Sequence, residues 1–512
     1  MAQSRRLAAV IGLGLLASTF LVTSASARSH PDVGDFRRAV TVRGIVHHLD
    51  ALADIANDNG GTRASGTPGY EDSVDYVVHR LRRAGYRPTV QAFEFPFFQQ
   101  TGPSTFEKTA PDAQIYAEGS DFFLMDFSGT GDVTAGLQPT NDIVIPPGAE
   151  PSTSNAGCEP EDFTGFTPGN IALIQRGTCT FEQKADNAIA AGAVGVVMFN
   201  EGQPGRTDAG EFTLGRPFDI PVVFTSFAIG EALYNQIQGG ASVSVHLTTQ
   251  TLSEQRTTWN VIADTRRGRA DRTIVVGAHL DSVLAGPGIN DNGSGSATIL
   301  ELAEELSDLH VRPTNRIRFA FWGAEESGLL GSEHYVTTLP ETELANIALN
   351  LNFDMVGSDN FVRFVYDGDG SATGTAGPPG SDQIEQQFLD YFASQGLPVE
   401  ATPFDGRSDY GPFIDVGIPA GGLFTGAEGI KTPEQVAIYG GTAGEQYDPC
   451  YHQACDVLAG VNRTALDQMS DATATATWEW AFGTPPARTT ATASAATAAM
   501  STASGRGHTL AS

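Results

Sequence analysis

The chain is 512 residues long, too long for one ordinary hydrophobic core, so at least two folding units are expected. Its 30 basic and 60 acidic side chains leave a net charge of −30, which repels nucleic acid and anionic lipid and excludes both as partners. The four cysteines, Cys158, Cys179, Cys450 and Cys455, make an even count, which in an exported chain reads as two disulfides rather than metal ligands or a thiol nucleophile.

The chain opens with a basic start, an apolar run over residues 7–22 and Ser24-Ala25-Ser26-Ala27, the pattern of a signal peptide cut after Ala27. Arg5-Arg6 leaves general and twin-arginine export both open. The apolar run is shorter than the roughly 20 residues of a spanning helix, and no later stretch replaces it, so no membrane domain is expected. An amphipathic helix is predicted over residues 42–55, then a turn-rich loop over 60–69, a second helix over 70–84 and a strand over 89–95. Residues 115–250 change to short β-type runs broken by Gly and Pro, among them 142–146 and 171–174, with one helix over 181–191; this reads as an inserted small domain. After Trp259, strands over 274–278, 317–322 and 347–353 alternate with helices over 294–307 and 385–395, the pattern of a mostly parallel sheet covered on both faces. Residues 485–512, nearly all Ala, Thr, Ser, Gly and Arg, are too poor in large apolar side chains to order themselves.

In such sheets ligands bind beyond the carboxyl ends of the strands, and the reactive side chains fall there. The first of these strands ends in His279-Leu280-Asp281, and a loop then brings Asp291-Asn292-Gly293 to the start of a helix. The second ends in Gly323-Ala324-Glu325-Glu326 and the third in Asp354. Near the end, Cys450-Tyr451-His452-Gln453-Ala454-Cys455 adds another imidazole in a loop closed by an expected Cys450–Cys455 bridge. Imidazoles and carboxylates without thiolate suit a catalytic zinc site, and two His with three carboxylates suit two metals sharing one bridge. Glu325, beside a ligand, is then free to act as general base. Taken singly, each residue has an ordinary reading: a hydrogen-bonded strand-end His, acids at a helix start, turn-forming Asp. Five of them in this order read as a metal site. Ser282, Ser294 and Ser296 lie in no Gly-x-Ser-x-Gly elbow, and the glycines around Ser294 lack the Gly-Lys-Ser/Thr of a phosphate loop.

Residues 59–70 (Asn-Gly-Gly-Thr-Arg-Ala-Ser-Gly-Thr-Pro-Gly-Tyr), 279–282 (His-Leu-Asp-Ser), 288–295 (Gly-Ile-Asn-Asp-Asn-Gly-Ser-Gly), 321–332 (Phe-Trp-Gly-Ala-Glu-Glu-Ser-Gly-Leu-Leu-Gly-Ser) and 441–444 (Gly-Thr-Ala-Gly) together resemble the co-catalytic di-zinc aminopeptidases of the bacterial aminopeptidase S type, within metallopeptidase family twenty-eight. The resemblance covers roughly residues 41–95 and 259–482. It implies a three-layer α/β/α domain and a secreted, monomeric enzyme cutting the first peptide bond of chains with a free N-terminus, with large apolar first residues such as Leu preferred. It places two Zn2+, one on His279 and Asp354, one on Glu326 and His452, with Asp291 bridging and a cis peptide after it. It makes Asp281 the orienting partner of His279, Glu325 the base, Tyr451 the group that steadies the oxyanion, and Arg407 and Asp354 substrate-binding residues.

The insert is similar to a protease-associated domain through residues 169–184 and 190–200, which implies a Cys158–Cys179 bridge and a place beside the cleft. The expected division is thus a leader at 1–27, a discontinuous catalytic domain at 28–114 and 251–484, the insert at 115–250 and a tail at 485–512. Asp32, Asp467 and Asp471 match positions that bind calcium in some relatives, against the competing reading of solvated helix carboxylates. Two rivals share the fold: a di-zinc carboxypeptidase or dipeptidase, and a binding protein on an inactive peptidase scaffold. The first needs a cation for the substrate carboxylate; the second loses metal ligands, which this sequence keeps.

Overall fold

A computed structural model of the chain describes residues 31–486, so the leader and nearly all of the tail lie outside the described residues. In the strand Arg269–His279, Ile274, Val276 and Ala278 point into one apolar core and Val275 into another. In Asn315–Trp322, Ile317, Phe319 and Phe321 join the first core, Ala320 and Trp322 the second. Period-two alternation between two buried faces is what a sheet with helices on both sides requires.

The strands of this larger unit are β1 (Thr89–Ala110), β2 (Ser244–Asp264), β3 (Arg269–His279), β4 (Asn315–Trp322), β5 (Ile347–Phe353), β6 (Phe364–Tyr366), β7 (Glu400–Thr402) and β8 (Ala420–Phe424). Their order across the sheet is β7-β6-β8-β5-β3-β4-β2-β1, and the central four, β8, β5, β3 and β4, run parallel. One face is covered by helices Val42–Asp58, Pro68–Arg83, Gly295–Asp308, Ser381–Ser394 and Arg463–Phe482, the other by Leu330–Thr338 and Gly411–Asp415. The result is the three-layer mixed α/β architecture read from the sequence.

The helix over 42–55 extends to Asp58, entered through Thr41, whose hydroxyl accepts from the Gly44 N–H. Two strand expectations need correcting. The strand predicted to stop at residue 95 continues to Ala110, pairing antiparallel with β2 along nearly its whole length. Pro96 did not end it because β1 is an edge there, where a missing N–H disturbs no second ladder, and Gly102 sits at a register shift rather than a terminus. Residues 142–146 form no strand: the main-chain N–H and C=O of Val144 are held instead by the Gln175 side-chain amide, at 2.7 and 3.1 Å.

The insert is built on a second sheet in which Gly131–Pro139, Ile171–Gln175, Gly195–Phe199 and Val222–Thr225 lie in that order, each parallel to its neighbour. The expected helix over 181–191 is there as Phe181–Ala190, and a second, unexpected one spans Phe227–Gln238 after the N-cap Ser226. Cys158 and Cys179 are bridged within the insert, and Cys450 and Cys455 in the larger unit. The two sheets are joined by one ribbon: the first half of β2 pairs with Gly131–Pro139, the second half with β4, and β1 runs beside both.

Candidate active site

Four short segments at the carboxyl ends of β3, β4 and β5 and the loop over 450–455 bring His279, Asp291, Glu325, Glu326, Asp354 and His452 to one cavity of about 330 Å³. His279 Nε2 lies 3.2 Å from Asp291 Oδ1 and 3.3 Å from Asp354 Oδ1. His452 Nε2 lies 3.3 Å from Asp291 Oδ2 and 3.0 Å from Glu326 Oε2. Asp291 therefore turns one oxygen to each imidazole. In each of the groups His279/Asp291/Asp354 and Asp291/Glu326/His452 the candidate ligand atoms lie within 4.8 Å of one another. Glu325 joins neither group; its Oε2 is 3.8 Å from His279 Nε2.

The charges reflect this crowding. Burial works against a charged His279, yet Glu325 and Asp354 hold its imidazole well above the usual range. His452 is likewise pushed up to about 10, burial opposed by Glu326 and Asp291. Burial raises the Glu325 carboxyl well above its usual range and Glu326, beside Asp291, to about 7. Glu326 Oε1 is buried without a hydrogen-bond partner. Three carboxylates and two imidazoles, with one Glu326 oxygen unpaired and no thiol, make a donor set that fits two divalent cations sharing Asp291.

The supporting groups come from far along the chain. His279 Nδ1 is 3.2 Å from the carbonyl of Asp281 and 3.6 Å from its carboxylate, so the main chain, more closely than the side chain, fixes the ring; Asp281 Oδ1 also accepts the Glu325 N–H at 3.3 Å. The Asp291–Asn292 peptide is cis, as the resemblance implies. Asp456 accepts the N–H groups of Asn290 and Asp291 at 2.8 and 3.0 Å, tying the bridging loop to the His452 loop. Asn292 accepts from Gly295 and Met355 and donates to the Phe353 carbonyl, so the same amide positions the Asp291 and Asp354 backbones. Ser408 donates to Asp354 Oδ2 at 2.5 Å. Ala324, Met355 and His452 have positive φ (53°, 47° and 57°), each at or beside a site carboxylate or imidazole, and strain of this kind persists only where the surroundings over-determine it. The Ser65 hydroxyl, accepting the Ala324 N–H at 2.7 Å, is one such restraint.

Arg63, in the glycine-rich loop of residues 59–70, is completely buried. Its guanidinium donates to the carbonyls of Pro287, Leu280 and Gly288 at 2.8, 2.5 and 2.5 Å, spanning the loop between His279 and Asp291. Burial lowers its pKa to about 10, with Asp456 and Asp281 acting in the opposite direction. Arg63→Met leaves the carbonyls of Leu280 and Pro287 without their donor, Gly288 keeping the Gly293 N–H, and is expected to cost about 3 kcal/mol. A clear fall in the apparent thermal midpoint of the metal-free protein checks this; an unchanged midpoint would show that the loop holds itself.

At the cavity rim Arg407 is half exposed, bound to Glu428 at 2.5 Å and 3.3 Å from the Tyr451 hydroxyl. Tyr451 stacks on His452 with ring centres 3.8 Å apart. Phe364, Tyr366, Phe424 and Met355 supply an apolar wall, and no residue of the insert lines the cavity. Asp32, Asp467 and Asp471 do not gather into a group of metal-ligand distances: Asp32 caps Val33–Ala39 with Asp35, and Asp471 faces Arg37 at 3.9 Å. Of the other histidines, His334 stacks on Phe93 in the helix Leu330–Thr338 away from the cavity, and His48 is buried beside Glu301.

A parallel sheet with a shared-aspartate pair of His–carboxylate groups at its strand ends has the build of a two-metal hydrolase. The sequence profile of peptidase family M28 matches residues 260–477, and that of the PA domain residues 140–233. An aminopeptidase of Pseudomonas aeruginosa (strain UCBPP-PA14) is 49% identical over 440 residues, covering 85% of this chain and 80% of that protein. Leucine aminopeptidase 2 of Trichophyton tonsurans is 40% identical over 436 residues, covering 84% and 82%. The solved structure of BSAP, a zinc aminopeptidase from Bacillus subtilis, superposes with a TM-score of 0.58 at 26% identity, covering 89% of this chain and 97% of that one. The chain belongs to peptidase family M28, with a PA domain inserted in it.

Proposed function

We propose that the protein is a secreted zinc aminopeptidase that removes the first residue of peptides, preferring large apolar ones. The observation that carries the reading is Asp291, one oxygen facing each of two imidazole–carboxylate groups in one cavity. His279, Asp291 and Asp354 would hold one Zn2+, and Asp291, Glu326 and His452 the other. Bound there, zinc acts as a Lewis acid on the scissile carbonyl and lowers the pKa of water. Glu325, 3.8 Å from the His279 ring and outside both ligand groups, accepts the proton of the attacking water and returns it to the leaving amine. The Tyr451 hydroxyl, backed by Arg407, donates to the developing oxyanion. Glu325 and Asp354 pair with the substrate's ammonium group, and the wall of Phe364, Tyr366 and Phe424 receives its first side chain.

The relatives named above as aminopeptidases support this reading, and the leucine aminopeptidase supports the apolar preference. A carboxypeptidase needs a free cation for the substrate's carboxylate. Arg407, the one Lys or Arg among the described cavity residues, is already paired with Glu428. Export rests on the leader pattern of residues 1–27 and on the two disulfides. No helix among the described residues is long and apolar enough to cross a membrane.

The test is hydrolysis of leucine p-nitroanilide beside its N-acetylated form, with and without a chelator. Release from the free-amine compound alone, abolished by chelation and restored by zinc, is the expected result. Release of a C-terminal residue from an N-blocked peptide, with no action on the free-amine compound, would replace the reading with a carboxypeptidase.

A further inference from the structure

Beyond the cavity wall formed by β6, the chain continues as Asp367-Gly368-Asp369-Gly370-Ser371-Ala372-Thr373. Asp367 is completely buried, and its Oδ2 accepts from the Ala372 and Thr373 N–H groups and the Thr373 hydroxyl at 3.0, 2.6 and 2.7 Å. Its other oxygen, Oδ1, is buried and has no hydrogen-bond partner. A buried acceptor left like this is costly, more so when it carries charge. The Thr373 and Ala372 hydrogen bonds nevertheless hold the carboxyl below its usual range against burial.

Glu385, from the first turns of Ser381–Ser394, reaches over the same loop, and its Oε2 accepts the Gly368 and Asp369 N–H groups at 2.9 and 3.2 Å. One oxygen from each of Asp367, Asp369 and Glu385 lies within 4.8 Å of the other two. Burial, then the charges of Asp369 and Asp367, hold the Glu385 carboxyl above its usual range. The tight packing is built in, since a Cβ on Gly368 would run into the Ser381 carbonyl and Gly370 has a φ of +71°.

We propose that Asp367, Asp369 and Glu385 bind a calcium ion. The cluster and the unpaired, fully buried Asp367 oxygen point to a cation. The donor chemistry selects which: three carboxylates, with neither imidazole nor thiolate, suit a hard ion, and an irregular loop suits calcium better than magnesium, which demands near-ideal octahedral geometry. Asp367 follows Tyr366 directly and its N–H donates to the Thr402 carbonyl at 2.9 Å; Tyr366 and Thr402 both line the cavity, so the ion would brace that wall. This site is distinct from Asp32, Asp467 and Asp471.

The test is calorimetric titration of the zinc-loaded, full chain in calcium-depleted buffer with CaCl2 and, separately, MgCl2. One calcium per chain with a Kd on the order of 10⁻⁴ M, tighter than magnesium, is expected. Asp369→Asn, at an exposed position, and Glu385→Gln should each weaken binding at least about 10-fold with zinc content unchanged, while Asp467→Asn should leave it as in the parent. No calcium binding at about 10 mM, equal affinity in both variants and the parent, tighter binding of magnesium, or loss in Asp467→Asn alone would each overturn the proposal.

Discussion

Glu325→Gln is expected to lower kcat by about 10³-fold while the chain keeps its full complement of zinc. The substitution preserves size and removes only the capacity to take a proton, and general-base catalysis is worth on the order of 10²–10⁴. Glu325 stands outside both ligand groups, at 3.8 Å from the His279 ring, so neither group loses a donor. Turnover and metal content measured on the same preparation decide the matter. A variant within a few-fold of the parent would remove Glu325 as the base, and a variant that lost zinc would make it a ligand.

Glu326→Ala, one residue further on, should do the opposite first. It removes the carboxylate that faces His452 at 3.0 Å and belongs with Asp291 and His452. Since disturbing even a partner of a ligand costs 10–100-fold in metal affinity, losing this oxygen should cost at least about 100-fold. After dialysis the zinc content should fall from two per chain to about one, with activity lost alongside. Two zincs retained would show that the adjacent glutamates have exchanged roles.

The parts of the fold set by short-range pattern were legible in the sequence. The helix at Val42–Asp58 carries its apolar residues at helical spacing, and β3, β4 and β5 carry strand-length apolar stretches, unbroken over 274–278 in β3, broken by Arg318 in β4 and by Asn350 and Asn352 in β5. What escaped was decided by distant partners. The strand β1 outran its Pro96 because at that point β2 is its one neighbour, and residues 142–146, apolar enough for a strand, were claimed by the amide of Gln175. The same division runs through the cavity. Its His and carboxylates stand at strand ends in recognisable runs, whereas Arg63, Asp456 and Asn292 hold main-chain groups as far as 225, 166 and 63 residues away. An arginine in a glycine-rich loop or an aspartate after a cysteine has no periodicity to announce such a role. The resemblance marked the Arg63 loop as significant without saying that its guanidinium props the loop leading to Asp291.

The insert enters along β1 and leaves along β2, and these strands are in register at Gln100 and Thr251. Entry and exit are therefore neighbours in one hairpin. The insert can be thought of as an elaborate turn: joining residue 100 to residue 251 through two glycine-rich residues would re-close the hairpin without re-routing any strand of the catalytic sheet. Architecturally the accessory unit is a plug-in cassette. It can be excised, or exchanged for another module whose ends lie one strand spacing apart, while β3, β4 and β5 and the reactive edge they carry stay in place.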